Sequence, residues 1–151
     1  MPETKKINIL LADDDKDDIF FFARALKTAS VPTKIVSVED GEILLNYLLK
    51  NVAHLPDILF LDINMPRKNG LEALKEIKAN IKLKAFPVII YSTSLDEGVA
   101  DVFYDHGAHY YVQKGDFNVL VEKLEFILSH FRDNNFKRPV REKFIFELKE
   151  A

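Results

Sequence analysis

The chain has 151 residues, 48% of them hydrophobic and 30% charged, with a formal net charge of −3 and no cysteine. That is about one domain of ordinary folded composition, and the lack of cysteine excludes disulfides and thiolate metal sites and fits a reducing compartment. No apolar run reaches the roughly 18 residues that a membrane helix needs, and Met1-Pro2-Glu3-Thr4-Lys5-Lys6 lacks the form of a signal peptide, so a cytoplasmic protein without a membrane partner is expected.

The elements alternate along the chain. Strand signals fall at 7–12, 34–38, 57–62, 87–92 and 109–112, and helical stretches at 16–29, 41–51, 70–80, 96–106 and 117–132. The strand segments are short and wholly apolar or β-branched, which predicts strands buried on both faces. In the first helix Ile19, Phe22, Ala23 and Leu26 repeat as one apolar stripe, and in the last Leu120, Leu124, Ile127, Leu128 and Phe131 do the same. Asp40-Gly41 and Asp57 supply turn chemistry, Asp116 suits a helix N-cap, and Gly107 a C-terminal stop. Five such units with short connections predict an open, doubly wound α/β sheet, whose ligands bind beyond the C-terminal strand ends.

Those ends carry the chemistry. Ile9-Leu10-Leu11-Ala12 runs into Asp13-Asp14, Ile58-Leu59-Phe60-Leu61 into Asp62, Val88-Ile89-Ile90-Tyr91 into Ser92, and Tyr110-Tyr111-Val112-Gln113 into Lys114. In a parallel sheet these polar residues share one edge. Carboxylates brought that close repel one another unless a cation sits among them. The set suits a divalent metal and a transferable phosphoryl group.

Residues 134–151 hold Lys137, Arg138, Arg141, Lys143 and Lys149 against Glu142, Glu147 and Glu150, a balance of +2, so the total of −3 leaves −5 for residues 1–133. An acidic main domain argues against nucleic acid as a direct ligand.

Ala12-Asp13-Asp14-Asp15, Leu61-Asp62-Ile63-Asn64-Met65-Pro66 with Gly70 beyond, Ser92-Thr93-Ser94, and Tyr111 three residues before Lys114 together resemble the receiver domain of two-component response regulators. The resemblance covers about residues 6–132, and the opening strand, Tyr91-Ser92-Thr93-Ser94 and the extra tail are most similar to stand-alone regulators of the phytochrome-partner type. It implies a CheY-like, flavodoxin-like (βα)5 fold with strand order 2-1-3-4-5. It also implies that Asp62 is the phosphoacceptor for a sensor histidine kinase or phosphotransfer protein. Asp14 would ligate Mg²⁺ directly, Asp13 would hold a metal-bound water, and the Asn64 main-chain carbonyl would complete the protein ligands with Asp62. Lys114 would be the ammonium that meets the phosphoryl group, Ser92 the hydroxyl that turns toward it, and Tyr111 the switch aromatic. Output would pass to a downstream protein or to a change in oligomer, since residues 1–133 read as the receiver and 134–151 as an extension docking on its own domain or a second copy.

This chain departs from the family at two positions. Ser92 stands where threonine is usual, keeping the hydroxyl and losing a methyl that stiffens the side chain. Gly115 stands where proline is common after the lysine, so the backbone there is permitted but not forced into an unusual shape. A phosphatase resembling the haloacid dehalogenase superfamily would also use a strand-end aspartate with Mg²⁺, but it wants an acid where this chain has Asn64. A receiver-like module that is never phosphorylated is disfavoured by the intact acids and lysine.

Other features carry less. His54, His106, His109 and His130 lack metal-ligand spacing, and Asp15, Asp17 and Asp18 suit the positive end of the first helix. Phe20, Phe21 and Phe22 diverge by about 100° per residue and cannot all face inward. Phe22 fits the core stripe, and the family's use of its first helix in kinase docking places Phe21 in that contact, with packing under a neighbouring loop as the alternative. In the tail, Phe144, Phe146 and Leu148 alternate as in a strand, while Val140, Phe144 and Leu148 also keep helical spacing.

Overall fold

A computed structural model describes residues 5–133 and 136–147. It holds β1 (Ile7–Ala12), α1 (Lys16–Thr28), β2 (Thr33–Val38), α2 (Gly41–Lys50), β3 (Ile58–Leu61), α3 (Gly70–Ala79), β4 (Val88–Ser92), α4 (Glu97–Asp105), β5 (Tyr110–Gln113) and α5 (Phe117–Arg132). The strands form one parallel sheet in the order β2-β1-β3-β4-β5. That is the architecture the sequence predicts, with element limits agreeing to within a residue or two.

The period of two along each strand explains why the strands read as continuous apolar runs. On one face Ile9, Leu11, Phe60, Ile89, Tyr91 and Val112 pack against Phe22, Ala25 and Leu26 of α1 and Leu120, Leu124, Ile127 and Leu128 of α5. On the other, Leu10, Ala12, Leu59, Leu61, Ile90 and Tyr111 meet Leu44 and Leu48 of α2, Ala73, Leu74 and Ile77 of α3, and Ala100 and Phe103 of α4. Strands covered on both sides need apolar residues at every position.

Two expectations are corrected. β2 is not buried on both faces: Val36 is exposed and only Val38 is fully covered, because β2 is an edge strand with β1 on one side only. In α1 the buried line runs through Phe22, Ala25 and Leu26, leaving Ile19 and Ala23 half-buried, because this helix lies between the sheet and α5 and is covered from two directions.

Acidic or amide caps start the helices. Asp15, Asp40, Asp96 and Asp116 each accept hydrogen bonds from first-turn amides, and Asn69 forms a reciprocal capping box with Glu72. Gly107 ends α4 with a φ of 96°, the left-handed geometry that favours glycine there.

Over residues 136–147 the tail takes neither of the regular forms its spacing allows. A single 3-10 turn at Arg141–Lys143 leads to one parallel bridge between Ile145 and Tyr111. Phe144 then packs on the α4 side of the sheet and Phe146 on the α5 side. Leu148 lies outside the described residues.

Candidate functional site

The sheet reverses direction of growth between β1 and β3, and the site lies at their C-terminal ends. Ala12 pairs with Leu61, and the Asp62 N–H donates to the Ala12 carbonyl at 2.9 Å, so Asp13 and Asp62 leave neighbouring strands side by side. The Asp13 N–H bonds the Val38 carbonyl at 3.0 Å and the Lys114 N–H bonds the Ser92 carbonyl at 2.7 Å, which brings the lysine to the same edge. The loop after β3 is held close by Gly70, whose N–H donates to the Ile63 carbonyl at 2.8 Å. A Cβ on Gly70 would lie 2.4 Å from the Asp62 carbonyl oxygen, so only glycine lets α3 start this near the acid.

Asp13, Asp14 and Asp62 each offer a carboxylate oxygen, all within 4.8 Å of one another. Asp13 and Asp62 are buried and Asp14 is exposed. The Lys114 ammonium reaches across to Asp13 Oδ2 at 2.6 Å, to Asp18 Oδ2 at 2.9 Å and toward Asp62 Oδ2 at 3.8 Å, and it lies over the Tyr91 ring at 5.0 Å. Burial alone would make Lys114 easier to deprotonate, but its hydrogen bonds to Asp13 and Asp18 and the charge of Asp62 outweigh that, so it is held charged. Burial lifts the Asp13 carboxyl above the ordinary range against the pull of Lys114. Burial also pushes Asp62 up to about 6, opposed by Lys114 and reinforced by the charge of Asp13. Four acids around one ammonium leave an uncompensated negative charge, and an all-oxygen donor set of this kind fits a hard divalent cation.

The other predicted residues stand on β4, on β5 and in the loop after β3. Ser92 is buried at the end of β4, with its hydroxyl 3.3 Å from that of Ser94. Tyr111 is fully buried in β5, and its hydroxyl donates to the Ser94 carbonyl at 2.6 Å, so its polar tip is satisfied inside the protein and not by solvent. Asn64 is exposed in the β3–α3 loop. Gly115 keeps a trans bond and has no positive φ, and a Cβ there would meet nothing within 4 Å.

The first helix separates its three phenylalanines. Phe22 is buried, Phe21 is half-buried and edge-on to Phe117 of α5 with centroids 5.5 Å apart, and Phe20 is 65% exposed.

Asp18 and Tyr91 complete the lysine's surroundings, a role that the sequence alone does not give them. A signal for Asp18 was present: with α1 opening at Lys16, the first helical turn faces back over the strand end. For Tyr91 there was none, because an aromatic inside an apolar strand reads as core.

A doubly wound sheet that gathers acids and a lysine at its switch point is the arrangement of a receiver domain. The family model for the response regulator receiver domain matches residues 9–125, and the chain belongs to that family. It is 32% identical over 110 residues to Response regulator Rcp1 of Synechocystis sp., an alignment covering 70% of this chain and 75% of Rcp1. Its fold superposes on the phosphorylated cyanobacterial phytochrome response regulator RcpA with a TM-score of 0.76 at 32% identity, covering 86% of this chain and 96% of RcpA. On the Mn²⁺-bound form of Rcp1 the TM-score is 0.73 at 28% identity, covering 88% and 99% of the two chains. Family members act as switches in two-component signalling. No helix among the described residues is long and apolar enough to cross a membrane.

Proposed function

We propose that this chain accepts a phosphoryl group on Asp62 from a sensor histidine kinase, of the phytochrome type by its likeness to Rcp1 and RcpA, or from a histidine phosphotransfer protein. The observation that carries this reading is the Asp62 carboxylate, buried beside Lys114 and sharing one small volume with Asp13 and Asp14. An Asp62 oxygen forms the new P–O bond as the P–N bond of the donor phosphohistidine breaks, and the electron pair departs with the imidazole, which keeps or regains a proton. Asp13 and Asp18 hold the Lys114 ammonium where the equatorial phosphoryl oxygens gather charge. Ser92 turns its hydroxyl from Ser94 to the bound phosphoryl group, and Tyr111 carries that change to the α4–β5–α5 face.

Asp13, Asp14, Asp62 and the Asn64 main-chain carbonyl would hold a divalent cation, magnesium in this reading, which supplies positive charge to the transferring group. The acid cluster and the Mn²⁺-bound relative support a divalent ion. Residues 1–133 form the receiver and 134–151 its extension, Phe21 belongs to the kinase-docking face of α1, and the output is a change in binding to a downstream protein. Ser94 and Asn64 are small and exposed, which in this reading leaves water a path to the acyl phosphate.

The test is direct. Incubation with Mg²⁺ and acetyl phosphate should add one phosphoryl mass to the protein, and Asp62→Asn should abolish the gain. No gain in the parent chain, or an equal gain in the variant, would refute the assignment.

A further inference from the structure

Residues 136–147 cross the edge of the sheet at one residue. The Tyr111 N–H donates to the Phe144 carbonyl at 3.0 Å, and the Tyr111 carbonyl accepts from the Phe146 N–H at 2.8 Å. The same tyrosine reaches the β4–α4 loop through its hydroxyl on Ser94. Its backbone therefore carries the tail while its side chain carries the loop that follows Ser92. The buried Phe144 ring stands edge-on to Tyr111 at 6.3 Å and to Tyr104 at 5.2 Å.

Two arginines fasten this strap to α4. Arg138 donates to the Ala108 carbonyl at 2.9 Å and to the Tyr104 carbonyl, and its guanidinium lies 3.7 Å over the Tyr104 ring. Tyr104 returns a hydrogen bond from its hydroxyl to the Pro139 carbonyl at 2.9 Å. Arg141 pairs with Asp101 and, at 2.8 Å, with Glu97.

We infer that the strap 136–147 locks Tyr111 in its buried position and so biases the acceptor site toward the phosphorylated form. The inference rests on the reading of Asp62 as phosphoacceptor and adds its regulation. Were the Tyr111 ring to leave its place, Phe144 would face a cavity and the Ser94 carbonyl would lose its donor, both unfavourable. When Ser92 turns toward a phosphoryl group it withdraws its hydroxyl from Ser94, and the Tyr111 hydroxyl on the Ser94 carbonyl becomes the remaining side-chain hold on that residue. Strap and phosphoryl group thus favour the same position of one side chain. By reciprocity, a seated strap raises phosphorylation and phosphorylation tightens the strap.

The experiment uses the full chain with 3-fluorotyrosine at position 111, followed by fluorine NMR with a soluble paramagnetic probe. Two unlocking variants serve, Phe144→Ala beside the ring and the pair Arg138→Ala/Arg141→Ala on the α4 attachment. Both should raise the probe's effect on the fluorine several-fold, and both should lower the fraction phosphorylated by acetyl phosphate several-fold at equal Mg²⁺. A fluorine that stays shielded in both folded variants overturns the lock. Lost shielding with an unchanged phosphorylated fraction overturns the coupling. If the parent chain takes no phosphoryl group, the acceptor assignment fails and the coupling with it, while the shielding measurement still decides whether the strap holds Tyr111.

Discussion

Replacing Asp62 with asparagine should stabilise the metal-free protein at neutral pH. At an effective dielectric constant of about 20, two carboxylate oxygens at 4.8 Å, the outer limit of spacing in the acid cluster, repel by about 3.5 kcal/mol, and one lysine offsets only part of this. The Asp62 carboxyl titrates at about 6 against an ordinary 3.8, a difference worth about 3 kcal/mol. Because the folded pKa is the higher one, the native state binds more protons between 3.8 and about 6. Stability therefore falls as pH rises through that window, and the whole penalty is present above it. Asp62→Asn removes the charge and keeps an oxygen to accept from the Ile63 N–H, as Asp62 Oδ1 does at 2.8 Å. Urea unfolding in EDTA at pH 7.5 should show the variant more stable by about 2 kcal/mol, or about 4–8 °C in Tm for a chain of this size. The advantage should fade by about pH 4, below the folded-state titration. Saturating Mg²⁺ should close the gap by stabilising the parent, about 2.7 kcal/mol at a hundred times Kd. A variant that is no more stable at pH 7.5, or equally favoured at pH 4, would refute this account of the site.

Three further outcomes follow from the same geometry. Lys114→Ala leaves the buried Asp13 carboxylate without its ammonium and should cost about 3 kcal/mol at neutral pH in EDTA, less in acid, read by urea unfolding. Gly70→Ala drives a methyl into the Asp62 carbonyl, so a loss of about 1–3 kcal/mol should accompany slower phosphoryl acceptance in the mass assay. Phe21→Ala should lower both stability and transfer from the cognate kinase, since the ring packs on Phe117, whereas the exposed Phe20→Ala should leave thermal unfolding nearly unchanged.

Much of this protein is legible in the linear chain because burial on both faces forces apolar runs at Ile9–Ala12, Ile58–Leu61 and Val88–Tyr91, and each run ends abruptly in a polar residue. A polar residue that closes an apolar strand stands out, so the sequence singles out Asp13, Asp14, Asp62 and Ser92, with Lys114 just past β5; the structure brings the three acids and the lysine together. An edge strand such as β2 keeps β-branched residues while losing a neighbour, and composition does not reveal which strand is outermost. Asp18 does not stand out in the sequence, because a carboxylate in a first helical turn already has a local reason to be there.

Tertiary structure alone decided the lysine's allegiance and the tail's place. Lys114 bonds Asp13 and Asp18 more closely than Asp62, a choice made by which loops approach across the sheet edge and not by spacing along the chain. The strand-like and helix-like spacings of the tail were equally open until the free edge of β5 and the face of α4 offered Phe144 a buried seat and Ile145 a backbone partner. Local sequence sets which side chains must leave water; where each one finds cover depends on surfaces contributed by residues far away in the chain.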